Sequence, residues 1–165
     1  MIKCKTLFFL LLTLILFQPF QVTKCDTNCI DSTVDFFYRN NHIDLNTSRS
    51  MAVTFCRTGG KIECIPPALT WLFNNTHYNS VGAFIKAVNF CKYGAEISCV
   101  PAALPWFNRN FSSTYEVNIE KAIDFCAGNG QLDCVEKMRT YFFNSLGKCW
   151  ETATEEAVHY CSPSS

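Results

Sequence analysis

The sequence predicts an all-α domain built from four disulfide-stapled helical hairpins, about eight short helices, stacked as a small solenoid or curled bundle. Three observations carry that expectation. The cysteines recur with a period of 35: Cys29, Cys64, Cys99 and Cys134 form one series, and Cys56, Cys91, Cys126 and Cys161 form a second. The apolar residues between them keep helical rather than strand spacing. Glycines and prolines fall at matching positions of successive units, which marks an internal repeat.

Taken in chain order, Lys3 and Lys5 precede the apolar run Leu7 to Phe17, the layout of a secretory signal peptide. The run of about 11 residues is shorter than the roughly 20 that a bilayer-spanning helix needs, so removal is expected rather than anchoring. Cleavage is placed between Phe20 and Lys24, with Thr23 as the last residue lost. Residues 1–23 then form the signal peptide and 24–165 a single cysteine-rich helical-repeat domain, long enough to bury a core. Cys4 leaves with the peptide, and ten of the 11 cysteines remain. An even number in an exported chain reads as five disulfides, whereas the same density in the cytosol would suggest metal.

Each unit runs from a first-series to a second-series cysteine. Seven residues into the first arm stands an aromatic, Phe36, Trp71, Trp106 or Tyr141, followed by Phe37, Leu72, Phe107 or Phe142. The second arm carries Ala52, Ala87, Ala122 or Ala157 three residues before Phe55, Phe90, Phe125 or Tyr160. Pro66, Pro67 and Pro101 sit where the first turn of a helix tolerates proline. Gly59, Gly60, Gly94, Gly128 and Gly130 follow the second arms, where a helix C-terminus favours a left-handed residue. The recurring aromatics are expected to be mainly core rather than a ligand cage.

An antiparallel helical hairpin sets the start of its first helix beside the end of its second, which is where both cysteines of a unit fall. The expected pairs are therefore Cys29–Cys56, Cys64–Cys91, Cys99–Cys126 and Cys134–Cys161, with Cys25 and Cys149 left for each other. A competing scheme joins Cys56 to Cys64, Cys91 to Cys99 and Cys126 to Cys134 across the links between units. Each long staple would contribute about 3 kcal/mol on the chain-entropy estimate. Asn46, Asn74 and Asn110 head N-x-S/T sequons, expected on the surface of a glycoprotein.

Removing Lys3 and Lys5 leaves 12 basic against 14 acidic residues, so charge points to no partner. The basic residues, Arg39, Lys61, Lys86, Arg109, Arg139 and Lys148 among them, are dispersed and read as solvated, without the stripe that nucleic-acid binding requires. His42, His77 and His159 show no metal-ligand spacing, and no metal or other cofactor is expected. Glu116 and Glu120, or Glu155 and Glu156, could be read as paired catalytic carboxylates, but polar neighbours favour solvated helix faces. No G-x-S-x-G motif or free nucleophile with a base is visible, so no enzymatic activity is expected.

The sequence therefore predicts a secreted, extracellular binding effector acting on an extracellular protein target. In architecture, though in no specific motif, such proteins resemble some arthropod venom and parasite secretions, which implies a toxin-like, host-directed or signalling role. Two other readings stay open: a carrier of small hydrophobic ligands, suggested by the aromatic fraction of 15%, and a structural or protective extracellular protein. No further apolar run is long enough to span a membrane.

Overall fold

The computed structural model describes residues 27–41 and 43–162. The signal-peptide reading, Cys25 and His42 lie outside the described residues. Those residues form eight α-helices, one short 3-10 turn and no strand. The helices are α1 (Thr27–Asn41), α2 (Leu45–Arg57), α3 (Ile65–Asn75), α4 (Ser80–Cys91), α5 (Cys99–Asn110), α6 (Tyr115–Ala127), α7 (Leu132–Leu146) and α8 (Trp150–Tyr160). They pair in order as four hairpins.

Local chemistry starts and stops these helices. Asp44 caps α2, its Oδ1 accepting from the backbone of Asn46 at 3.0 Å and Thr47 at 3.1 Å. Asn79 caps α4 by accepting from Gly82 N at 2.8 Å, and Thr114 caps α6 through Val117 N. Proline occupies the first turn of α3, where the missing N–H has no intrahelical partner to lose. Pro105 lies inside α5, which nevertheless continues to Asn110. Its ring leaves the carbonyl of Pro101 without the usual helical donor.

Each hairpin is closed at its open end by a staple: Cys29–Cys56, Cys64–Cys91, Cys99–Cys126 and Cys134–Cys161, each with a sequence separation of 27. The scheme that crosses the links is thereby excluded. Cys149, expected to pair with Cys25, instead carries a free, exposed thiol, so the described residues hold four staples and not a fifth.

Ala52, Ala87, Ala122 and Ala157 are fully buried, and their small side chains let the two helices of a hairpin approach closely. Phe37 meets Phe55 within its own hairpin at 6.2 Å and Phe84 of the next at 5.8 Å, both edge to face. The closest packing between hairpins is that of α4 on α6. One apolar cluster runs from Phe37 to Cys161, so neighbours in the chain are neighbours in the bundle. Tyr141 and Tyr160 depart from the core expectation: both are exposed, because no further hairpin among the described residues packs over them.

The links also differ from expectation at one position. Gly59 and Gly94 take positive φ, 84° and 73°, but Gly128 does not; the left-handed residue in the third link is Asn129, with φ 56°. Asparagine tolerates that region better than most residues. Gly60 serves another purpose, since a Cβ there would lie 2.6 Å from the Phe55 ring.

Candidate functional site

Two surface regions bring chemistry-bearing side chains together. The first is the tip of hairpin 4. Phe143 and Leu146 stand three residues apart in the last turns of α7 and so share one face. Gly147, at φ 65°, reverses the chain and returns Trp150 at the start of α8. The Trp150 ring meets Phe143 edge to face at 5.4 Å, and Phe143, Leu146 and Trp150 are all exposed.

Beneath this aromatic tip lies Arg139, which is not the solvated charge expected of it: it is only 7% exposed. Its guanidinium lies 4.2 Å from the Trp150 ring centroid and 5.6 Å from that of Trp106. It donates to Asn110 Oδ1 at 2.5 Å and to Glu136 Oε2, while Glu136 Oε1 accepts from Trp106 Nε1 at 2.6 Å. A carboxylate, an amide oxygen and two indole faces thus surround the buried cation, while its Nε is left without an acceptor. Sequence spacing held a signal for this. Residues 35, 70 and 105 positions earlier are Leu104, Leu69 and Val34, so a charge at 139 breaks an apolar column.

The Arg139 cluster also decides how the third sequon sits. Asn46 and Asn74 are exposed, but Asn110 is half-buried, its Nδ2 donating to the Trp106 carbonyl at 2.9 Å while its Oδ1 receives Arg139. Its amide is a structural part of the junction between hairpins 3 and 4.

The second region is a cleft of about 270 Å³ between the tip of hairpin 2 and the start of α6. Tyr78, Tyr115, Ile119, Glu116 and Glu120 line it with His77. The Tyr78 hydroxyl donates to Glu120 Oε1 at 2.5 Å, and Lys86 Nζ reaches Glu120 Oε2 at 3.1 Å and Asp124 Oδ1 at 2.7 Å. Burial and the bond to Glu120 push the Tyr78 phenol up to about 12. Burial alone would lower Lys86, but the bonds from Asp124 and Glu120 outweigh it and hold its ammonium above the ordinary range. Glu116 is held below the usual carboxylate range by its own backbone N–H and the Thr114 hydroxyl.

Other expectations divide. Glu116 and Glu155 are exposed, as read from the sequence, whereas Glu120 is tied to Tyr78 and Lys86, and Glu156 pairs with Lys148. No cluster of three or more metal-ligating side chains occurs among the described residues, and no helix among them is long and apolar enough to cross a membrane. Cys149 sits beside the aromatic tip, its thiol lowered from the ordinary value by hydrogen bonds from the Thr152 side chain and backbone. No protein-family model, curated protein or solved structure matches the chain.

Proposed function

We propose that this is a secreted, non-enzymatic binding effector that engages an extracellular protein through the aromatic tip of hairpin 4. The supporting observation is the exposed cluster Phe143, Leu146 and Trp150, held from below by the buried Arg139. Aromatic side chains backed by arginine are the residue types that anchor protein interfaces, because they bring large contact area at low entropic cost. A neighbouring hairpin fixes Arg139 through Asn110, so the tip is preorganised and loses little freedom on binding. Multiple staples and the lack of a long apolar helix among the described residues fit an extracellular setting.

The test compares the native protein with a Phe143→Ser/Trp150→Ser variant on an array of extracellular proteins from its own physiological setting. Saturable binding by the native protein, weakened at least about tenfold in the variant, supports the reading. Tyr38→Ser, which alters an exposed aromatic on α1, serves as a control that keeps binding. Equal binding by the tip variant, or no saturable binding by the native protein, overturns it.

A further inference from the structure

We infer that the cleft between hairpins 2 and 3 is a binding site for an organic ammonium with an apolar body, of which an arylalkylamine is the simplest kind. This site is separate from the hairpin 4 tip and does not rest on its role.

Shape and lining select the apolar part of such a ligand. The cleft is about 270 Å³, with the Tyr78 and Tyr115 rings and Ile119 as its apolar walls. The hydrogen bond from Tyr78 to Glu120 fixes the first ring in place. Tyr115 stands more exposed at the rim, at the first residue of α6. Tyrosine faces attract cations through their quadrupole, and pairs of them with a carboxylate are a recurring way to hold ammonium groups.

Charge selects the cationic part. Two carboxylates, Glu116 and Glu120, line the cleft with His77, and Lys86 reaches Glu120 from beside it. Lys86 is already shared between Glu120 and Asp124, whereas Glu116, held by its own backbone N–H and the Thr114 hydroxyl, forms no ion pair among the described residues and is the carboxylate placed to receive an added cation. A neutral apolar molecule would gain only the walls, and an anion would be repelled.

The arrangement is also particular to this junction. Thirty-five residues before Tyr78, Tyr115 and Glu116 stand Ile43, Ser80 and Val81, and 35 residues after them stand Ser113, Trp150 and Glu151. The paired tyrosines with an acidic neighbour are thus not a by-product of the repeated framework. The scaffold supplies the junction, and these substitutions supply its chemistry.

Isothermal titration of the disulfide-intact protein with phenethylamine, and with 3-phenylpropan-1-ol as a neutral probe of similar shape, tests the assignment. The expected result is one-site saturable binding of the amine, with the alcohol at least about tenfold weaker. Glu116→Gln, at an exposed position that leaves the core intact, should weaken the amine to a similar degree, and Tyr78→Ala should do so as well. Trp150→Ser should leave the affinity unchanged. Absence of saturable amine binding up to roughly millimolar concentration, equal binding of the alcohol, or an unaltered affinity in Glu116→Gln would each overturn the assignment.

Discussion

Hairpins 3 and 4 carry the same staple, the same loop length and the same aromatic spacing, yet they bury those aromatics very differently. Trp106 and Phe125 of hairpin 3 are 6% and 2% exposed, whereas Tyr141 and Tyr160, each 35 residues further on, are 51% and 63% exposed. Hairpin 3 lies between two neighbours, and hairpin 4 ends the row of described residues. Burial at a given repeat position is therefore decided by what packs over it rather than by the hairpin that carries it. The residue types follow the same logic, since tyrosine keeps the ring while offering water a hydroxyl where tryptophan or phenylalanine would be left bare. Terminal units of stacked repeats need such a polar outer face.

The strongest way to break the comparison is to truncate the two equivalent rings. Trp106→Ala should cost about 3–5 kcal/mol in denaturant unfolding, because it opens a cavity between hairpins and removes the indole that donates to Glu136. Tyr141→Ala, at the same phase, should stay within about 0.5 kcal/mol of the native protein, as exposed sites usually do. Equal losses would mean that the outer face of hairpin 4 is covered in solution.

A second experiment sharpens what the two hairpins share. Replacing both cysteines of a staple by alanine should cost about 3–4 kcal/mol for Cys99 with Cys126 and the same for Cys134 with Cys161. Both close loops of equal length, and the entropic gain depends on that length. A much smaller loss in hairpin 4 would show that the terminal hairpin opens locally before the rest of the bundle unfolds.

The unequal legibility of the two hairpins has a physical origin. Cysteine spacing and helix phase are local properties repeated four times, and terminal prolines mark two of the units, so the stapled-hairpin fold and its four staples could be read from sequence. The role of Arg139 could not be, because it is set by Asn110 and Trp106 of α5 and by Trp150 of α8, two helices other than its own. A break in the Val34, Leu69, Leu104 column was visible, but a break alone does not say what will surround the new charge. The cleft is harder still to see, since Tyr78 and Glu120 are 42 residues apart and meet only when hairpins 2 and 3 dock. Asn129 in place of a glycine shows the converse: the left-handed position was predictable, and its occupant was misread because two glycines flank it.

The docking of hairpins 2 and 3 has its own pH signature. The Tyr78 phenol titrates near 12 in the folded protein, above its ordinary value of 10.0, because burial and Glu120 favour the neutral form. A raised folded value means that this contribution is fully present below pH 10, while between 10 and 12 the unfolded chain releases the proton first and stability falls. Phenolate absorbance should therefore show one late-titrating tyrosine that Tyr78→Phe removes, and the native protein should lose stability more steeply than that variant over this window. Coincident titration of all tyrosines would show that hairpins 2 and 3 do not hold Tyr78 against Glu120.

The smallest expected effect returns to the tip of hairpin 4, where the free Cys149 thiol lies next to Trp150. The hydrogen bonds from Thr152 favour its thiolate, and the thiolate is the form that attacks an alkylating agent. Iodoacetamide should modify Cys149 in the folded, unreduced protein, while the eight stapled cysteines remain unmodified until a reductant is added. Thr152→Val removes the hydroxyl without altering side-chain volume much, so it should slow the modification and leave thermal stability unchanged. If Cys149 resists modification and peptide mapping finds it joined to Cys25, the N-terminal segment reaches the far tip. Hairpin 4 would then be tied back to the start of the chain, and its contrast with hairpin 3 would shrink to the difference between a non-covalent neighbour and a covalent one.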